Sequence, residues 1–309
     1  MPEALVDVIE NTLRRHDDLL EILLMDRTKT TKAKIHNILW ATDSYPGHKP
    51  KDEISILDIT GPNTFLIQPR ISKPKEEQKI RTKEKAEVFT PKKIVQEMNQ
   101  QADWKSGHWP VTKENWKQYV SELRLEITCG EAPFIVGRYN AHNGKKVYKL
   151  SDRVGFLDKK LQKVSEYAET KEEWLEWAFE SIKCSYGYEW QGDNLLLARE
   201  NILYTFIDYW NEQFPKSKIN LDRKISDEKL HILKEVATII SWNIFQMDGI
   251  NYTVPMSSIS LENVPEIPPL CILLGEKPPK PKGKPPTYVK IMNWRTDKTE
   301  KFIDIIKKG

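Results

Sequence analysis

Three acidic residues stand where a short apolar run gives way to a glycine. Glu126 lies within Leu123-Arg124-Leu125-Glu126-Ile127-Thr128 and is followed by Cys129-Gly130. Glu189 follows Tyr186-Gly187-Tyr188, and Asp248 precedes Gly249 at the end of Asn243-Ile244-Phe245-Gln246-Met247. Taken as strand ends of an open α/β sheet, such positions face the crevice where ligands bind. Their chemistry suits a nucleoside. Glycine lets the backbone come close, one carboxylate accepts from ribose hydroxyls, and another stands near a purine. Charged strand ends also occur without any ligand, so spacing alone leaves a cofactor site and a merely solvated sheet end both open.

Other chemistry is thinly represented. Cys129, Cys184 and Cys271 are far apart and imply no disulfide framework; Cys129 reads as a small packing residue. The six histidines are scattered with none at zinc-ligand spacing, so no metal is expected. Trp174, Trp177 and Phe179 read as helix packing, and Glu172, Glu173 and Glu176 as an exposed helix face. Arg81, Lys83 and Lys85, just before Phe89-Thr90-Pro91, read either as a phosphate contact or as a solvated approach to a helix.

The elements that must position these residues follow from periodicity. Residues 3–25 space leucine, valine and isoleucine at helical intervals without Gly or Pro. After the turn-rich SYPGHKPKDE, Ile54 to Thr60 alternates like a short strand ended by Gly61-Pro62, and an apolar run, Thr64 to Ile67, follows. Pro91 suits the first turn of a helix through Ile94, Val95 and Met98, with Thr90 as cap. From Leu123 the chain alternates strand and helix: a strand over 123–128, helix over 156–183, a strand end at 186–190, a helix over Asn194 to Trp210, and an apolar segment from Val236 to the run ending at Asp248. That alternation predicts an α/β fold with a mostly parallel sheet. Residues 251–287 are proline-rich and culminate in KPPKPKGKPP, an extended segment; Tyr288 to Trp294 reads as a strand.

Composition sets the class. The 309 residues carry 48 Lys+Arg against 45 Asp+Glu, a net charge of +3, which excludes a protein that grips nucleic acid by bulk charge. The charge is unevenly spread: nine Lys/Arg against four acids lie between Pro69 and Lys93, and ten against three from Lys277 onward. Between these basic stretches, Glu166 to Glu180 holds six glutamates. No apolar run approaches the roughly 20 residues of a membrane span. The N-terminal sequence has no signal-peptide core, and a cytoplasmic location is expected.

Leu125-Glu126-Ile127-Thr128-Cys129-Gly130-Glu131-Ala132-Pro133-Phe134-Ile135 resembles the cofactor motif L-D-P-x-C-G-x-G-x-F-L of the N6-adenine DNA methyltransferases. Upstream, Ala86-Glu87-Val88-Phe89-Thr90-Pro91 is similar to that family's x-V-F-T-P element. Downstream, Tyr186-Gly187-Tyr188-Glu189 with Ala198-Arg199-Glu200-Asn201-Ile202-Leu203 resembles Y-G-x-E and A-R-x-N-L, and Asn243 to Ile250 resembles N-I-x-x-G-D-x-L. The wording is closest to the M-subunit-like proteins of restriction–modification systems and spans roughly Ala86 to Ile250.

The resemblance implies a Rossmann-like, S-adenosylmethionine-dependent methyltransferase fold with a helical N-terminal extension and a Pro-rich, strand-containing tail. The corresponding regions are 1–80, 81–254 and 255–309. It implies that Phe89, Thr90, Glu126, Thr128, Gly130, Ala132, Glu189 and Asp248 bind the cofactor, with Glu189 on the ribose and Asp248 by the adenine. Double-stranded DNA, and a specificity or endonuclease partner subunit, are the implied partners.

Two departures stand out. Ala132 replaces the second glycine of the cofactor loop, with Glu131 beside it, and no N-P-P-Y or D-P-P-Y occurs. In the family that tetrapeptide accepts from the adenine amino group and stacks on the flipped base. Asn293 and Trp294 are the only stand-ins, as acceptor and stacking surface; the plainer reading is a hairpin strand with a packed Trp. A non-catalytic DNA- or partner-binding scaffold on a degenerate methyltransferase fold is the alternative function.

Overall fold

The computed structural model describes residues 12–85, 87, 90–140, 143–257 and 285–307. Among them are ten α-helices and two small sheets: α1 Asp17–Leu24, α2 Ile56–Ile59, α3 Lys75–Lys85, α4 Lys92–Lys105, α5 Trp116–Val120, β1 Arg124–Glu126, α6 Phe156–Tyr167, α7 Lys171–Lys183, β2 Ser185–Glu189, α8 Gly192–Gln213, α9 Asp227–Asn243, β3 Ile244–Gln246, β4 Lys290–Asn293, β5 Lys298–Lys301 and α10 Phe302–Ile306. The fold is mixed α/β, as the strand–helix alternation predicts.

The central sheet has the order β1-β2-β3 and is parallel throughout, with Leu125 opposite Tyr186 and Tyr188 opposite Phe245. Parallel strands need long crossovers, and helices supply them here. The β1-to-β2 connection contains α6 and α7, which Thr170 separates by capping α7 through the Glu173 amide. The β2-to-β3 connection contains α8 and α9.

Helix α8 is the axis of the molecule. Leu195, Leu196, Leu197, Leu203 and Phe206 are wholly buried, and buried charges on the same helix are individually matched. Glu200 takes a forked pair of hydrogen bonds from Arg14 at 3.0 and 3.2 Å. Arg199 donates to the carbonyls of Leu23, Met25, Ser241 and Ile244. Residues of the N-terminal region, Leu13, Leu19, Leu20 and Trp40 among them, thereby share one apolar core with residues 116–244.

The other sheet face is covered by the C-terminal hairpin. Tyr188, Phe245 and Met247 pack with Val289, Ile291 and Phe302, and the Tyr186 hydroxyl donates to the Met292 carbonyl at 3.1 Å. This second layer reaches β2 and β3 but leaves Leu123, Leu125 and Ile127 of the β1 segment exposed.

Local expectations meet two corrections. Ile54 to Thr60 is not a strand: Ser55 and Asp58 form a reciprocal capping box that turns Ile56–Ile59 into the short helix α2. The helix after Pro91 starts at Lys92 with Pro91 itself as cap, and Thr90 makes no cap bond. The residues from 3 to 11, and most of the proline-rich segment, lie outside the described residues.

Candidate functional site

At the carboxyl ends of β1 and β2 the chain encloses a cavity of about 650 Å³, within the range of small-molecule sites. Glu126 and Glu189, on adjacent strands, both line it, together with Thr128, Gly130 and Thr90. The wall between the strands is the loop from Ile127 to Phe134. Its backbone is left-handed at Thr128 (φ 45°), Gly130 (φ 53°) and Ala132 (φ 66°). Only glycine adopts that region without strain, so Thr128 and Ala132 each hold a conformation their side chains disfavour. Ala132, at the position of the family's second glycine, is fully buried and is not part of the cavity lining.

The two glutamates hold this loop. Glu126 accepts from the Phe134 and Ile135 amides at 3.2 and 3.1 Å. Glu189 accepts from the Gly130 amide at 2.8 Å and from the Trp190 and Gln191 amides at 3.0 and 3.1 Å. A carboxylate has about four lone-pair sites, so Glu189 keeps one for a further donor. Burial drives the Glu126 carboxyl well above the usual carboxylate range; the two amides counter this and the nearby Glu189 adds to it. Burial likewise raises Glu189, against the pull of its amide donors.

Glu131 also lines the cavity, but its carboxylate is committed elsewhere. It accepts from the Arg70 amide at 2.7 Å and from the Tyr139 hydroxyl, while its backbone carbonyl accepts from Asn201 at 3.1 Å. Asn201, within the Ala198–Leu203 motif, thus pins the loop to α8. Gly187 on β2 sits tightly under the loop: a Cβ there would lie 3.0 Å from Ile135 Cδ1 and 3.3 Å from the Cys129 side chain, so a larger residue would have to displace those side chains. Cys129 is buried, and burial pushes its thiol well above the ordinary range, which disfavours the thiolate a nucleophile needs.

The remaining expected residues separate from this site. Asp248 does not line the cavity. Its carboxylate closes a turn, accepting from the Ile250 amide at 2.9 Å and from Asn251 at 3.2 and 2.7 Å. Asn293 and Trp294 lie at the opposite end of the sheet. The Trp294 indole donates to Asn243 Oδ1 at 2.7 Å, and Asn243 immediately precedes β3. Asn293 is spent on its own hairpin, donating to Glu300 and accepting from the Arg295 amide. Phe89 lies outside the described residues.

Several lining residues were not singled out from sequence. Trp190, next to Glu189, and Ile127, next to Glu126, are both exposed and both line the cavity. Position was the available signal, since each follows a strand-end acid. Glu87 enters from the Ala86–Pro91 element, accepting from Arg81 and from Asn194 Nδ2 at 2.8 Å. Nothing local marks that role, which needs α8 and α3 to meet. Arg81 is not a surface contact: it is buried, paired with Glu87 and with Asp193 at 2.7 Å.

Five acidic residues line the cavity with Arg70: Glu87 is paired with Arg81 and Glu131 is held by the Arg70 amide and Tyr139, which leaves Glu84, Glu126 and Glu189 without an ion pair among the described residues. The arrangement suits a small ligand bearing hydroxyl donors and positive charge. Among the described residues no cluster of His, Cys, Asp and Glu is placed to hold a metal, and no helix is long and apolar enough to cross a membrane. Comparison with known families, curated proteins and solved structures finds no match to this chain.

Proposed function

We propose that the cavity binds S-adenosylmethionine and that the protein is an N6-adenine DNA methyltransferase-like protein of the M-subunit type, on a Rossmann-like methyltransferase fold. One observation carries this reading: Glu126 and Glu189, from the carboxyl ends of adjacent parallel strands, open into a single nucleoside-sized cavity beside a left-handed glycine loop. The acid-rich lining supports it, because the cofactor carries a sulfonium and an ammonium group. Its sulfonium methyl is the chemistry it supplies.

In this reading the free acceptor site of Glu189 takes a ribose hydroxyl. Trp190 and Ile127 flank the adenine, and Thr90 with Gly130 bounds the methionine end. Asp248 contributes through its turn rather than by contact. The target-base site is then assigned to a partner subunit. The exposed Leu123 and Leu125 on the β1 edge of the sheet support an additional chain there.

The position of Asn293 and Trp294, remote from the cavity, favours a second reading as a non-catalytic scaffold. Isothermal titration with S-adenosylmethionine tests the first reading at its root; absence of binding removes it. Transfer of a radiolabelled methyl group to duplex DNA, by the chain alone and with candidate partner subunits, separates the two. Transfer by the chain alone refutes the scaffold; transfer that needs both this chain and a partner, and is lost in Glu189→Gln, favours a split enzyme.

A further inference from the structure

Helix α3 is fixed in orientation by its buried side. Arg81 reaches inward to Glu87 and Asp193, and Lys73, just before the helix, adds a pair with Asp193 at 3.5 Å. The Tyr45 hydroxyl donates to the same Asp193 oxygen at 2.7 Å. With that side locked, Lys75, Lys79 and Lys83 fall on one outward row at intervals of four residues, all exposed. None of the three is in an ion pair among the described residues. With Arg70, Gln78 and Thr82 they outline a shallow depression of about 410 Å³ that no carboxylate lines. Glu76 borders the row beside Lys79 and Lys83 without lining the depression, Glu77 lies on another side of the helix, and Glu84 faces the cofactor cavity instead.

Arg70 belongs to both hollows. Its amide holds Glu131 of the cofactor loop, and its guanidinium donates to the Gln78 carbonyl and the Thr82 hydroxyl of α3. A polyanion lying along the lysine row would therefore reach Arg70, the residue that the two hollows share.

We infer that the Lys75–Lys79–Lys83 face of α3 is the surface on which the sugar–phosphate backbone of duplex DNA lies, delivering the duplex to the cavity. The choice of DNA as the polyanion rests on the proposed methyltransferase reading; the surface itself rests on the charge row and its anchoring. It also explains how a chain of near-zero net charge holds a polyanion, by concentrating unpaired cations on one rigid helix face.

The test is binding of a fluorescent 20-base-pair duplex by anisotropy across a salt series, with Lys75→Gln/Lys79→Gln/Lys83→Gln against wild type. Loss of three phosphate contacts predicts a plot of log affinity against log salt shallower by about 2.7, and a loss on the order of 100-fold near 0.1 M salt. Lys290→Gln/Lys298→Gln/Lys301→Gln, which removes equal charge from the hairpin, should leave the slope unchanged. The single variant Lys79→Gln, shallower by about 1, guards against a fold defect in the triple variant. Equal slopes for wild type and the triple variant, or equal losses in the hairpin control, overturn the assignment. Tighter binding of an RNA duplex of the same length overturns the choice of DNA. Titration of S-adenosylmethionine into the triple variant keeps the two proposals apart: retained cofactor binding with an unaltered salt slope refutes the surface alone.

Discussion

At the amino ends of β1 and β2, the Lys160 side chain donates to the carbonyls of Glu122 and Cys184 at 2.5 and 3.0 Å. Beside it, Asn243 Nδ2 is shared among the carbonyls of Ile182, Lys183 and Ser185, and Trp294 donates to Asn243 Oδ1. At the carboxyl ends of the same strands, buried carboxylates collect around open space, and the loop between them holds Thr128 and Ala132 in left-handed conformations. One end satisfies backbone carbonyls with two side chains, Lys160 and Asn243. The other holds a strained loop through hydrogen bonds from backbone amides to buried carboxyl groups around a cavity. Backbone strain and buried acids are the features by which binding sites are recognised, and within this sheet they gather at the carboxyl end and not at the amino end.

The largest expected effect breaks the amino end. Asn243→Leu removes the side-chain donor to the Ile182, Lys183 and Ser185 carbonyls and the acceptor of the Trp294 indole, which should cost about 3 kcal/mol in urea unfolding. Whatever folds should still bind S-adenosylmethionine, because nothing at the cavity changes. A variant that keeps its stability would refute the account of this end.

The two ends should also differ in their response to pH. Burial lowers the Lys160 amine from 10.5 to about 7. Between those values the unfolded chain binds the extra proton, so stability should rise with pH across the window, by up to about 1.4 kcal/mol per pH unit. Lys160→Met should flatten that rise. The raised carboxyls of Glu126, Glu131 and Glu189 act oppositely. There the folded chain holds the extra protons, so stability falls as pH climbs above the ordinary carboxylate range. Urea midpoints from pH 5 to 10 should therefore show falling and rising contributions, and only the upper one should disappear in Lys160→Met.

The smallest effects relieve the loop. Thr128→Gly and Ala132→Gly remove left-handed strain but add unfolded-state freedom, for a net gain of about 1 kcal/mol or less each. Thr128, exposed and β-branched, should gain more than buried Ala132, whose methyl group also packs. Destabilisation by both substitutions would contradict the strained-loop description.

Much of this contrast was legible in the sequence, because short parallel strands bounded by glycine write their ends locally. Glu126 and Glu189 were placed by Gly130 and Gly187, and the helix beginning near Asn194 by its unbroken apolar content. What was not legible depends on meetings across the chain. Asp248 stood at the third strand end, but Asn251, three residues on, drew its carboxylate into a turn. Arg81 looked like surface charge until Asp193, 112 residues away, buried it. The alternation over Ile54 to Thr60 matched a strand, and one Ser55–Asp58 capping box outweighed it. The tail read as a Pro-rich appendage because of its run of prolines, yet Val289, Ile291 and Phe302 beyond that run form the second layer on the sheet.

Calorimetric titration of S-adenosylmethionine into the full chain, with Glu189→Gln at the carboxyl end and Trp294→Phe at the amino end, tests the central claim most directly. The account predicts binding to the unmodified chain and to Trp294→Phe, weakened by roughly 10- to 100-fold in Glu189→Gln, as expected for a lost hydrogen bond to a charged group. No binding to the unmodified chain, or equal affinity in Glu189→Gln, would contradict it.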